Sequence, residues 1–196
     1  MANVEAPFGF QLAGFLDGRT GSLGQQSRLM ASSAATIWSG DPVTSLSTGY
    51  VARSTAGTTQ IAGIFIGCTY LSTALGRVVW APMYTQNAAT GDVTVYVVSD
   101  PLALFKVQAG GSSTAIILDN INSNANFGLA TGNNYSGQSK AYLDQTTISP
   151  STTTLPFRIV SLIEAPPGAP GTDITSGYNN VLVAFNFQDF RVTTGT

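Results

Sequence analysis

Four short apolar runs, VTVYVV, IAGIFIG, FRIVSLI and VLVAFNF, decide what this chain can become. They are rich in β-branched and aromatic residues, which suit a pleated, half-buried surface. No segment places apolar residues at i, i+3, i+4 and i+7 over three turns without a Gly, Pro or β-branched cluster breaking the stripe. Strands are expected instead, at 28–31, 35–39, 59–71, 77–84, 94–99, 102–108, 114–118, 121–129, 140–143, 157–164 and 181–187. Turn residues separate them at short spacing, the pattern of an all-β protein. The expected fold is an antiparallel β-barrel or jelly-roll-like sandwich with an extended N-terminal arm. The same alternation serves both architectures and leaves the two open.

Several connections carry their own chemistry. In Ser99-Asp100-Pro101-Leu102 the proline supplies the fixed φ that a type I turn wants, with Asp before it. That predicts a hairpin from VTVYVV into LALFKVQ, and Gly40-Asp41-Pro42-Val43 predicts the same move after Ile37-Trp38. The stretch APPGAPGTD, 165–173, reads as an exposed loop that cannot join a ladder. Trp38 and Trp80 lie inside strand-like runs, which places them in core or interface packing rather than sugar stacking.

Residues 1–27 differ from the rest. Phe8, Phe10 and Phe15 alternate with Gly9, Gly14, Gly18, Gly21 and Gly24. Glycine makes such a segment costly to order alone, while each phenylalanine offers a large apolar area. Two readings stand: a first strand tucked into the domain, or an extended arm whose aromatics anchor on a neighbouring subunit. Residues 28–196 read as one β domain, long enough to bury roughly 70% of its unfolded surface.

Composition then narrows function. Hydrophobic residues make up 43% of the chain and charged residues 9%, against roughly 25% charged in ordinary soluble proteins. Ser, Thr, Asn and Gly fill the gap at a net charge of −2, so little on the surface opposes association. There is no histidine, which removes the commonest general base and any Ser-His-Asp or Cys-His arrangement. One cysteine, Cys68, gives no disulfide framework and no zinc site, and its apolar setting predicts a buried, inert thiol. The ten acids are scattered, mostly beside turn residues, where Asp makes local hydrogen bonds. A carboxylate glycosidase stays open, because glycoside hydrolysis needs only two acids, but the expectation is no enzyme and no cofactor. The eight basic residues form no patch for phosphates, so no nucleic-acid partner is expected. No apolar run approaches the roughly 18 residues of a membrane span. The amino end has Glu5 where a signal peptide needs a basic residue, and no apolar stretch follows. Synthesis in a reducing cytoplasm is the expectation.

The segment DNINSNANFG, 119–128, alternates Asn120, Asn122, Asn124 and Asn126 with Ile121, Ser123, Ala125 and Phe127. Alternation predicts a strand with an apolar inner face and an amide face turned to water or to another protein. Amides donate and accept without charge, and Asn122 and Asn124 are therefore candidates for a wet subunit contact.

Several strings in order along the chain resemble one family: Ala6-Pro7-Phe8-Gly9-Phe10, then Ile37-Trp38-Ser39-Gly40-Asp41-Pro42-Val43, then Ile61-Ala62-Gly63-Ile64-Phe65-Ile66-Gly67. Val95-Tyr96-Val97-Val98-Ser99-Asp100-Pro101 and Leu104-Phe105-Lys106-Val107-Gln108 continue the series. Gly128, Gly132, Gly137 and Ser139, then Leu143-Asp144 and Leu155-Pro156-Phe157-Arg158-Ile159-Val160 complete it. In these the chain resembles the cement, or decoration, proteins that bind the outside of tailed-bacteriophage capsids. The resemblance implies a virion protein without catalytic residues, a homo-oligomer (dimer or trimer) bound across subunits of the major capsid protein. The competing expectation is a carbohydrate-binding β-sandwich module of a phage fibre or lectin, drawn from the all-β pattern, two Trp, seven Tyr and many amides.

Overall fold

The computed structural model describes residues 2–19 and 24–192. Among these residues there is no α-helix, and the strands run in order β1 (Gln11–Phe15), β2 (Gln25–Met30), β3 (Ile37–Trp38), β4 (Pro42–Ser45), β5 (Val51–Arg53), β6 (Gly63–Leu71) and β7 (Val78–Ala81). They continue as β8 (Met83–Tyr84), β9 (Val93–Val98), β10 (Ala103–Gly110), β11 (Asn124–Gly128), β12 (Tyr142–Ser149), β13 (Phe157–Leu162) and β14 (Asn180–Phe185). The all-β class is as the sequence predicts, and the barrel is its form.

Strands β10, β12, β11, β13 and β14 follow one another around a closed barrel, β14 returning to pair with β10. Every step is antiparallel except the short parallel contact of β10 with β12 at Ala109 and Gly110. β1 pairs antiparallel along the first half of β10. A second sheet runs β2-β9-β6-β4-β5, with β7 on the far half of β6, and β3 and β8 form a small ribbon. Closure removes strand edges from the barrel.

The two sheets fill two apolar clusters. Phe10, Phe105, Phe127, Phe157 and Phe185 dominate the barrel interior, with Ile64 and Val98 added from the second sheet and Ile61 from the segment before β6. Met30, Ile37, Val43, Phe65, Cys68, Tyr84 and Val93, Val95 and Val97 build the other. Along β9 the odd-numbered valines point in while Thr94 and Tyr96 are half-buried on the opposite face, the period of two expected of a strand.

Three local expectations are corrected. The turn at Asp100-Pro101 forms, with the Ala103 N–H donating to Asp100 O at 3.0 Å and the Leu102 N–H to Asp100 Oδ1 at 2.8 Å. It makes no hairpin, because β9 belongs to the second sheet and β10 to the barrel; the turn hands the chain from one to the other. At 40–43 the turn falls earlier, closed by the Asp41 N–H on Trp38 O, so that Pro42 opens β4. Residues 114–118 form no strand. The Asn179 side chain takes the place of a strand neighbour there, bonding both the N–H and the carbonyl of Ile116 at 3.0 and 2.9 Å. The chain then curls through the 3₁₀ turn Leu118–Asn120, held by Asn120 Oδ1 on the Ile117 N–H.

Candidate functional site

Of the two readings of the amino end, the structure builds the first strand. The segment before β1 is bonded to its own domain by the Asn3 side chain on Asp173 O and Gly177 O, the Ala6 N–H on Gln108 Oε1, and the Gly9 N–H on Ala141 O. Phe10 is 2% exposed and stacks on Phe157, and Phe15 is also buried. Neither is free to anchor a neighbour. Phe8 is half-buried, with the Lys106 ammonium 5.7 Å from its ring centroid. The part of the 1–27 segment at 20–23 lies outside the described residues.

The amide comb is likewise divided. Asn122 is exposed at φ +68°, in the turn before β11. Asn124 is buried, its Nδ2 donating to Thr152 O at 2.9 Å and its Oδ1 accepting from Arg158 Nε at 3.0 Å. Asn126 is buried too, with the whole of β11 closed over by its neighbours. A strand in the wall of a closed barrel, overlaid by the 150–155 loop, has no open amide face. Asn122 and Asn124 therefore do not act as one surface.

Four of the strings that carry the family resemblance meet in one place. The Phe10 N–H donates to Gly40 O at 3.0 Å, and the Gly40 N–H to Phe65 O at 2.8 Å. Gly9 and Gly40 pack backbone against backbone, and both sit at positive φ, so glycine is required twice over. Beside them Asp41 is fully buried and saturated with donors: the Trp38 N–H at 3.0 Å, Arg53 Nε at 2.7 Å and Ser139 Oγ at 2.5 Å. Arg53 also donates to Ala130 O at 3.1 Å, and its guanidinium lies 4.8 Å from the Trp38 ring centroid. A Cβ on Gly132 would fall 2.3 Å from Trp38 Cγ, so the 130–139 loop lies flat on the indole. This is a brace between barrel and second sheet. The three donors, one of them the paired Arg53, fix this buried acid and with it the Trp38 and Ser139 segments.

Exposed apolar side chains collect on the outer face of the second sheet. Register puts Leu29, Thr94, Thr69 and Trp80 in one cross-strand row, and Leu71 opposite Val78 in the next. Leu29, Leu71, Val78 and Trp80 are all exposed, Trp80 by 63%. Tyr96 lies opposite Gly67, and its hydroxyl is 3.3 Å from Thr69 Oγ1. A Cβ on Gly67 would meet Trp80 Cζ2 at 2.9 Å, so the glycine is the seat on which the indole edge rests. Gln25, Ile66, Gly67, Trp80 and Tyr96 enclose a groove of about 450 Å³. Of the two placements expected for Trp80, core packing is corrected: β7 alternates as expected, and it turns Val78 and Trp80 outward. Period-two spacing of Val78 and Trp80 was the available signal, and it cannot say which face is covered.

Titratable groups are occupied with local work. Burial pushes the Cys68 thiol up to about 12, and its Sγ lies 3.7 Å from Ala81 O, so it is no nucleophile at neutral pH. The Thr175 hydroxyl and N–H hold the half-buried Asp173 below the usual carboxylate range, and the Asp92 carboxylate raises Tyr50. Asp144 makes the same local turn with Thr146. Among the described residues no group of three His, Cys, Asp or Glu side chains could hold a metal, and no helix is long and apolar enough to cross a membrane. No family model matches the chain, and no curated protein or solved structure is found to be similar to it.

Proposed function

We propose that this chain is a non-enzymatic structural protein of a tailed bacteriophage, bound as a dimer or trimer to the outside of the assembled capsid. There it holds neighbouring subunits of the major capsid protein together. The observation that carries the reading is the convergence of the family-like strings. Phe10, Gly40, Asp41, Phe65 and Ser139 come from four separated stretches and form one bonded brace, so these four strings do connected structural work. Further support comes from the low charge, which suits broad contacts repeated over a lattice. One oligomer engaging several capsid subunits converts modest contacts into durable attachment.

The test is copurification. Intact virions banded in a density gradient should carry the protein in a fixed, near-stoichiometric ratio to the major capsid protein. Purified oligomer should also rebind shells stripped of it. Absence from the virion band, or binding to unassembled capsid protein as strong as to shells, would refute the proposal.

A further inference from the structure

The geometry points to a second binding activity on the outer face of the second sheet: a site for a neutral oligosaccharide, with Trp80 as its stacking platform. This rests on the groove alone and not on the capsid reading.

The indole is 63% exposed yet held in place. Its edge fits the space that Gly67 leaves, and Thr69 stands opposite it across the strand pair. A large aromatic fixed with its surface toward solvent offers apolar area at little further entropic cost. The apolar face of a pyranose ring is a complementary surface. The remaining walls supply what the sugar's edges need, the exposed Gln25 amide and the Tyr96 hydroxyl, which Thr69 orients. Side-chain amides both donate and accept, as sugar hydroxyls do.

Two further observations set the ligand class. Ile66 also lines a second depression, of about 420 Å³, with Phe8, Gln11, Pro82 and Gln138 among its walls. The two halves meet at Ile66, with Trp80 in one and Phe8 in the other, and the amides of Gln11, Gln25 and Gln138 are among their walls. No charged side chain lines either half. An acidic glycan or a phosphate would leave its charge unpaired there, whereas a neutral chain loses nothing. Aromatic and aliphatic walls with a few amides and hydroxyls are the usual composition of a small-ligand cleft, mostly apolar with a few placed polar groups.

Trp80 supplies its own reporter, because Trp38 is only 6% exposed. The intact protein is to be screened on an array of neutral and acidic glycans. It is then titrated with maltoheptaose, cellopentaose and chitopentaose, with sialyllactose as the charged control, following tryptophan emission and binding heat. Saturable binding of a neutral chain with a blue-shifted emission is expected. Trp80→Ala should weaken it by at least about tenfold and Gln25→Ala by about threefold, both with unchanged circular dichroism and melting. Four results would overturn the site: no neutral glycan bound, binding confined to acidic glycans, full binding by Trp80→Ala, or a Trp80-dependent self-association or protein contact without sugar binding. Shell binding is read on stripped capsids, so failure of either proposal is seen separately.

Discussion

Phe10 lies face to face with Phe157, ring centroids 4.3 Å apart and planes 14° from parallel. Phe157 in turn meets Phe127 edge-on and Phe185 in a second stack, so the aromatic from the amino-terminal segment completes the barrel core. Phe10→Ala should cost about 3–5 kcal/mol, the usual range for a buried phenylalanine, read as a fall in the urea midpoint. Phe8→Ala should cost less than about 1 kcal/mol, the scale of an exposed cation–π contact. Deleting residues 1–15 should destabilise the barrel itself, since β1 and Phe10 go with it.

The pair of buried Asp41 and half-buried Arg53 gives the brace a sharp signature. Asp41→Ala would leave the guanidinium of Arg53 without its carboxylate and Ser139 without its acceptor. Breaking a buried pair from one side costs about 3–5 kcal/mol. Arg53→Ala/Asp41→Ala together should cost less than the sum of the two single changes, and a double-mutant cycle of melting curves measures the coupling.

Asn122 and Asn124 are two residues apart and should respond oppositely. Asn124→Ala removes the partner of Thr152 O and of Arg158 Nε inside the barrel wall, at about 1–3 kcal/mol for buried groups left unsatisfied. Asn122 holds a left-handed turn at the surface, so Asn122→Gly should be neutral to stabilising by up to about 1 kcal/mol. Chemical denaturation of the two variants separates them.

Cys68 ties stability to alkaline pH. Its thiol ordinarily ionises near 9.0 and is pushed to about 12 in the fold. Above the lower value the unfolded chain releases a proton that the native chain keeps, so stability falls as pH rises from about 9 toward 12 and is unaffected below. Burial raises Tyr70 and Tyr84 in the same direction. Cys68→Ala should flatten the decline in urea midpoint between about pH 8 and pH 10.5. A thiol reagent should react with the native protein only at the rate of opening.

Much of this fold was legible because β-branched alternation is a local property: VTVYVV, LALFKVQ, FRIVSLI and VLVAFNF became β9, β10, β13 and β14. What the residues could not express was partnership. The Asp100-Pro101 turn has hairpin chemistry, yet its flanking strands enter different sheets, a choice made by Phe105 and Val95 finding different cores. The Asn comb misled for the same reason, since alternation names two faces without saying that barrel closure covers both. Asp41 read as a turn acid and is one, as the turn closed on Trp38 O attests. Its burial depends on Arg53 and Ser139, distant in sequence and invisible to any local pattern. Trp80 shows the converse, a strand residue left outside because its register puts it on the uncovered face of the second sheet.

Thermal melting of capsids tests the structural role most directly. Shells stripped of the protein and shells with it restored are heated side by side, because a partner that binds only the assembled lattice stabilises it by mass action. The restored shells should disassemble at a temperature several degrees higher, rising with added protein until the sites are full. Identical melting of the two preparations, at concentrations that saturate binding, would contradict the cementing role.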